Sequence, residues 1–485
     1  VTLGSSSTVA DQQTAPRRRP WPRWGVALLL GAAFVVPLLY LGVVFRLQAD
    51  EHLGPRTGYE WSHQRYFDDY DMTAFALRGL NAALGRSAGR TTPVDDYADE
   101  DYDRLLKEDR PLQPRYYLEY PHAALWVFRL GWLGQPLPPI PPALLDGSYG
   151  DIIWHNPDGP AEADLWRKFR WTTRVYEALM VACLFALVLT LRAGYDRSGA
   201  LASSGLPLLL LPGALYFTVN RFDILPTLLM ALSLFCLGRR WVVASACLLA
   251  AGAMVKVFPV LLVPLVLRYL LPDWQRAARW LTAFAATASI LVMWPLLREG
   301  WQAVWAPYQF QLNREPFGWT AYGYILPLRL ADNDLAAKGF RLGALLLTEL
   351  ALCVRPVPDL ASLLRRAAVV LIVFVSLAVF YSPQWVVWLL PLLLPLGRRQ
   401  PALVWLAVAL DLVTYLNWPF FGSGNLPWLG SWDEPVLAVL VYARFGILAA
   451  LAVLLLRGEN QSRELQRLEN EKTPVAEAPG SEATA

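Results

Sequence analysis

Between Asn220 and Pro264 three charged side chains interrupt apolar sequence: Arg221, Asp223 and Lys256. A charge within or beside a membrane span costs a few kcal/mol, so each is a functional hypothesis by default. Asp68, Asp69, Asp71, Arg314, Glu315 and Gln384 stand in comparable settings elsewhere in the chain. Carboxylates beside fixed cations at a membrane surface suit transfer of a group from an anionic lipid carrier. The carboxylate takes the proton of an attacking hydroxyl, and Arg or Lys neutralises a departing phosphate. Each residue also has a plainer use. Asp71 can cap the helix that follows, Asp223 can pair with Arg221 at a helix start, Lys256 can snorkel to an interface, and Gln384 can satisfy a broken helix end.

The elements around these residues set where they meet. Arg239 and Arg240 divide the stretch and belong in the cytoplasm by the positive-inside rule, which places Arg221 and Asp223 at the opposite face. As one helix, Trp241 to Leu271 would run roughly 46 Å at about 1.5 Å per residue, too long for one upright crossing of ~30 Å. Basic residues flank both ends of that run, so it reads as a hairpin of two short helices with Lys256 at its outer tip. Three charges then share the extracytoplasmic face.

The chain has 485 residues, 55% hydrophobic and only 17% charged, and its apolar runs alternate with short basic loops. That pattern predicts an all-α polytopic membrane protein and excludes a large soluble core. Net charge +3 argues nothing for nucleic acid, because Lys and Arg cluster at span ends. The four cysteines, Cys183, Cys236, Cys247 and Cys353, fall inside apolar runs and read as buried small residues, with no disulfide framework. The four histidines, His52, His63, His122 and His155, match no compact metal-ligand spacing.

Residues 1–23 read as a disordered cytoplasmic tail, 24–457 as the transmembrane domain and 458–485 as a second disordered cytoplasmic tail. The first apolar run follows Arg17-Arg18-Arg19 and has no small-residue cleavage site, so it is read as a retained span. About 12 transmembrane helices fit the alternation of basic inner and aromatic outer segments. The largest outer segment, 48–170, is too long to stay structureless. Within it, helices are expected after Asp71 (Met72, Phe75, Ala76, Leu80) and after Pro121 (Ala124, Leu125, Phe128, Trp132), lying on the outer membrane surface. Later spans are expected near 281–297, 342–354, 367–381, 386–396, 402–416 and 436–456.

Four short motifs, in order along residues 65–395, resemble a known family. Asp71-Met-Thr-Ala-Phe75 resembles an Asp-x-x-x-Tyr/Phe signature, and Glu119-Tyr120-Pro121 resembles a Tyr-Pro-Pro motif. Arg221-x-Asp223, then Lys256-Val-Phe-Pro259 with Pro264, resembles the turn of the GT-C membrane glycosyltransferases. Tyr381-Ser-Pro-Gln384-Trp385-Val-Val-Trp388 resembles their late Ser-Pro-Gln-Tyr-x-x-Trp motif. Taken together they are most similar to glycosyltransferase family 87, the polyprenyl-phosphate-mannose-dependent mannosyltransferases and their arabinofuranosyl relatives. His122 stands where the family has a second Pro, and Gln311-Leu-Asn313-Arg314-Glu315 departs from its Arg-Gly…Glu-Ser pattern.

The resemblance implies a GT-C fold in a bacterial plasma membrane, with both termini cytoplasmic and an extracytoplasmic active site. It implies Asp71 as catalytic base, with Asp69 the nearest rival, and Lys256 and Arg221 as holders of the donor phosphate. Asp223, His122, Arg314, Glu315 and Gln384 complete the substrate-site candidates. The partners implied are a polyprenyl-phosphate sugar donor, a glycolipid or glycan acceptor and membrane lipid; no cofactor is implied, and any divalent ion would sit near Asp69 and Asp71. The rival class is a flippase or transporter of a lipid-linked sugar. Its charges should line a path through both leaflets, whereas here they gather on one face.

Overall fold

The computed structural model describes residues 120–134, 160–313, 320, 334–421 and 433–472, with isolated positions between 31 and 42. Every regular element among them is helical. In chain order these are α1 (His122–Leu130), α2 (Pro160–Ala193), α3 (Leu206–Leu210), α4 (Pro212–Asn220), α5 (Ile224–Gly238) and α6 (Val242–Val255). A 3-10 turn (Phe258–Leu262) leads into α7 (Val263–Leu270), followed by α8 (Trp274–Glu299), α9 (Trp301–Asn313), α10 (Asp334–Val354) and α11 (Leu360–Ser376). A second 3-10 turn (Pro383–Trp385) precedes α12 (Val386–Leu393), and α13 (Pro401–Tyr415) and α14 (Asp433–Lys472) complete the series.

Among the described residues four helices are long and apolar enough to cross a membrane: Trp171–Ala193, Trp274–Arg298, Pro401–Phe421 and Pro435–Gln461. α4 and α5 qualify only together, and they bend by 109° at their junction; Val242–Val255 and Phe258–Leu270 are apolar but shorter. The outer surface matches a lipid solvent, because α8 exposes Ile290, Trp294 and Leu297.

Two groups of helices share one core. α5 packs on α6 and α2, and α6 on α8; α11 and α13 both pack on α14, and α12 joins the groups through α5, α11 and α13. Local chemistry explains where the helices start and stop. α11 begins at Leu360, earlier than the expected 367, because the Asp359 carboxylate caps it by accepting from the Ser362 N–H at 2.6 Å. That start carries Arg365 and Arg366, expected in a basic inner loop, into the buried body of the helix. α8 likewise starts at Trp274, where Asp273 accepts from the Arg276 N–H at 3.1 Å. α14 runs on to Lys472, through the first part of the segment expected to be disordered; Glu, Gln, Leu, Arg and Lys there are strong helix formers.

α1 forms where the sequence predicts a helix after Pro121, yet it lies against α6 and α8 with Ala124, Leu125, Phe128 and Trp132 all buried. It therefore packs on the bundle through that face, with Trp126, Leu130 and Leu133 left exposed. The helix expected after Asp71 falls outside the described residues.

One polar contact inside the core ties distant elements. Asp411, fully buried on α13, accepts from the Gly213 N–H at 2.9 Å and so caps α4 from another helix. A Cβ on Gly213 would stand 2.8 Å from the Asp411 carboxylate, so this close approach requires glycine.

Candidate functional site

The site is made by two helix breaks facing each other. At the first, Arg221 takes an extended conformation (φ −139°, ψ 156°) between α4 and α5. At the second, α6 ends at Lys256, extended at φ −152° and ψ 130°. Pro259 lacks the N–H that a continued helix would donate to the Val255 carbonyl, which makes this the natural stop.

Across these breaks Lys256 Nζ donates to Asp223 Oδ2 at 2.8 Å, with the two side chains 12% and 1% exposed. Trp388 Nε1 donates to the other oxygen, Asp223 Oδ1, at 2.7 Å. Asp223 occupies the N-cap position of α5 but makes no side-chain cap, because both of its oxygens face the site. A cap is worth about 1 kcal/mol, so the carboxylate is spent on the pair at the expense of its helix.

Aromatic rings surround the ammonium, whose Nζ lies 5.2 Å from the Tyr120 centroid, 5.0 Å from Phe222 and 5.6 Å from Trp388. Phe258 stacks on Trp388 at 3.9 Å and 7°, and Trp385 stacks on its neighbour Trp388 at 5.1 Å. Tyr120 meets Phe222 edge to face at 4.8 Å. Such rings hold a cation by their electron-rich faces while keeping water away.

The sequence placed Arg221, Asp223 and Lys256 on one face, and the structure brings all three to one end of the bundle. The Asp223 ion-pair partner is Lys256, where the sequence offered Arg221. Arg221 is buried beside them and donates from Nη1 to the Asn220 carbonyl at 3.1 Å. Gln384 is buried on the turn before Trp385 but makes neither of the bonds to Asp223. His122 opens α1 and lines a small cavity with Met254, Leu291, Pro295, Val304 and Tyr308, on the flank of the Lys256 break. Asp69, Asp71, Arg314 and Glu315 lie outside the described residues.

Sequence reasoning did not single out Arg444 and Asn417. Arg444, 1% exposed on α14, donates to Asn417 Oδ1 at 2.9 Å and stacks 3.5 Å over the Tyr381 ring. Tyr381 touches Trp385 at 6.1 Å, so this cluster joins the Trp388 rings. The only sequence signal was an Arg inside an apolar run. Among the described residues no three His, Cys, Asp or Glu side chains gather as metal ligands. Compared with known proteins, the chain matches no family model and no curated protein.

Proposed function

We propose that the chain is an integral membrane glycosyltransferase of the GT-C type, similar to family 87. It moves a sugar (mannose or another hexose, or arabinofuranose) from a polyprenyl-phosphate donor to a lipid- or glycan-linked acceptor. In this reading the chain crosses a bacterial plasma membrane about 12 times, with both termini cytoplasmic and the Lys256 end outside.

One observation carries the reading: a partly buried lysine held by one carboxylate and three rings where the motifs around Tyr120, Asp223 and Trp388 meet. An ammonium has three donors. One goes to Asp223, which leaves two for the oxygens of a phosphate, and Arg221 lies two positions before Asp223 at the same break. In a single displacement the acceptor oxygen attacks the anomeric carbon, and the bond from that carbon to the phosphate oxygen breaks. Polyprenyl phosphate leaves with the electron pair, and Asp71 or Asp69 takes the acceptor's proton. Lys256 and Arg221 neutralise the charge that grows on the leaving phosphate.

The transporter reading gains one observation, since Asp411 and Glu349 are acidic residues buried within the helices and outside the Lys256 cluster. Incubating membranes with radiolabelled polyprenyl-phosphate sugars separates the two. Transfer gives a labelled glycosidic product, which Asp71→Asn reduces by about 10²–10⁴-fold. Label that crosses the bilayer and stays on its carrier would replace the enzyme with a flippase.

A further inference from the structure

Arg365 and Arg366 are adjacent on α11 and both buried, 3% and 1% exposed, yet they are served differently. Arg366 gives its donors to Glu459 and to the carbonyls of Leu352, Arg355 and Pro356. Among the described residues Arg365 Nε and Nη1 have no hydrogen-bond partner. A guanidinium does not shed its proton to escape burial, so this cost persists until an acceptor arrives. Glu349, also buried with both oxygens unpartnered, differs in kind because a carboxyl can take up a proton.

The carboxylates in electrostatic reach of Arg365 are already engaged: Asp359 caps α11 through Ser362, and Glu459 Oε1 takes both bonds from Arg366. Arg399, exposed and within the same reach, adds positive potential at the rim, next to the exposed Arg398. Unmet, fixed, forked donors behind an exposed basic rim call for an anionic ligand with several acceptor oxygens.

We propose that Arg365 is the inner contact of a phosphate-binding site at the Arg366 end of the bundle, entered past Arg399. The phosphate comes from a phospholipid headgroup or from solution, and the site is separate from the one at Lys256.

The test uses the full chain purified in neutral detergent and follows thermal unfolding. Sodium phosphate is compared with sodium chloride at equal ionic strength, and phosphatidylglycerol with detergent alone. At least one phosphate source is expected to raise the melting temperature. Arg365→Met should weaken the apparent affinity about tenfold or more, while melting no lower than wild type in the absence of phosphate, because it removes a buried unmet charge. A response to the lipid alone assigns the headgroup; a response to both shows that the free anion suffices. No shift with either source, or an equal shift in Arg365→Met, overturns the proposal. If Arg365→Met does not fold, Arg365→Lys decides: it keeps the charge and loses the fork, and unchanged affinity in it overturns the proposal equally.

Discussion

Asp223–Lys256, partly buried, and Arg366–Glu459, fully buried, are ion pairs at either end of the same bundle, but their surroundings differ. Arg366 is wrapped in oxygen: one carboxylate oxygen accepts from Nε at 2.9 Å and from Nη2 at 2.6 Å, the Leu352 carbonyl accepts from Nη1, and the Arg355 and Pro356 carbonyls accept at 2.8 and 2.7 Å. Leu352 belongs to α10, Arg355 and Pro356 to the turn that follows it, and the carboxylate to α14, so the guanidinium on α11 staples the end of α10 and α14 to its own helix. Among the described residues Lys256 instead has a single oxygen partner and three aromatic faces. A saturated cation is a clamp. A cation with donors to spare, kept dry by rings, can take a further anion without first breaking its pair.

That contrast can be broken most forcefully at the clamp. Arg366→Met leaves Glu459 buried without its guanidinium and should destabilise the fold by about 3–5 kcal/mol. Adding Glu459→Leu should return most of that loss, because well-packed apolar residues often replace a buried pair at no net cost. Thermal unfolding of the single and double variants is the measurement. A double variant as unstable as the single one would mean that the pair does more than staple helices.

The same double replacement should fail at the other end, in a different way. Lys256→Met is expected to weaken donor binding roughly tenfold to a hundredfold, the equivalent of about 1.5–3 kcal/mol for a charge-assisted hydrogen bond. Lys256→Met with Asp223→Asn should recover stability without recovering donor affinity. Unchanged donor affinity in Lys256→Met would reduce that lysine to a structural residue like Arg366.

The Lys256 end was more legible in sequence than the Arg366 end, for a physical reason. Arg221, Asp223 and Lys256 stand out because a charge beside apolar runs is costly wherever the chain goes, and the prolines at 259 and 264 mark the break that exposes Lys256. The rings at Tyr120 and Trp388 could be quoted from motifs but not placed, since nothing local says that α1 and α12 meet α6. Arg366 and Glu459 lie 93 positions apart, and each reads as ordinary basic or acidic sequence at a span end. Asp411 is similar: its partner is a backbone N–H 198 positions away, and a backbone donor leaves no trace in composition. Helix starts at Asp359 and Asp273 carried a readable cap, but positive-inside counting pushed the expected spans past them.

Hydrogen bonds of two kinds sharpen the comparison further. Trp388→Phe removes the donor on Asp223 Oδ1 while keeping a ring to stack on Phe258. A bond to a charged group is worth about 1.5–3 kcal/mol, and donor affinity should fall with it. Tyr195→Phe, near the other end, removes a neutral bond of 3.1 Å to the Pro391 carbonyl and should cost only about 0.5–1.5 kcal/mol, with donor affinity unchanged. Equal losses of donor affinity in the two variants would show that general loosening of the bundle, and not Asp223, sets binding.

The smallest effect belongs to the Arg366 end, where Asp196 holds the loop after α2. Partial burial pushes its carboxyl up, but Ser198 and the N–H groups of Leu201 and Ala200 donate to it and together hold it below the usual carboxylate value. A carboxyl depressed by folding contributes stability that is fully present above its unfolded value, about 3.9, and is lost as pH falls through the lower folded one. Asp196→Asn keeps one oxygen for the loop and removes the charge. Its melting temperature should therefore trail wild type by a degree or so at pH 6, since ~1 kcal/mol moves the midpoint by only about 2–4 °C even in a 150–250-residue domain. The gap should close as pH falls below about 4, because wild type then loses its charged bonds as well. A gap that stays constant down to pH 3 would mean that the loop is held by its backbone geometry, with no contribution from the Asp196 charge.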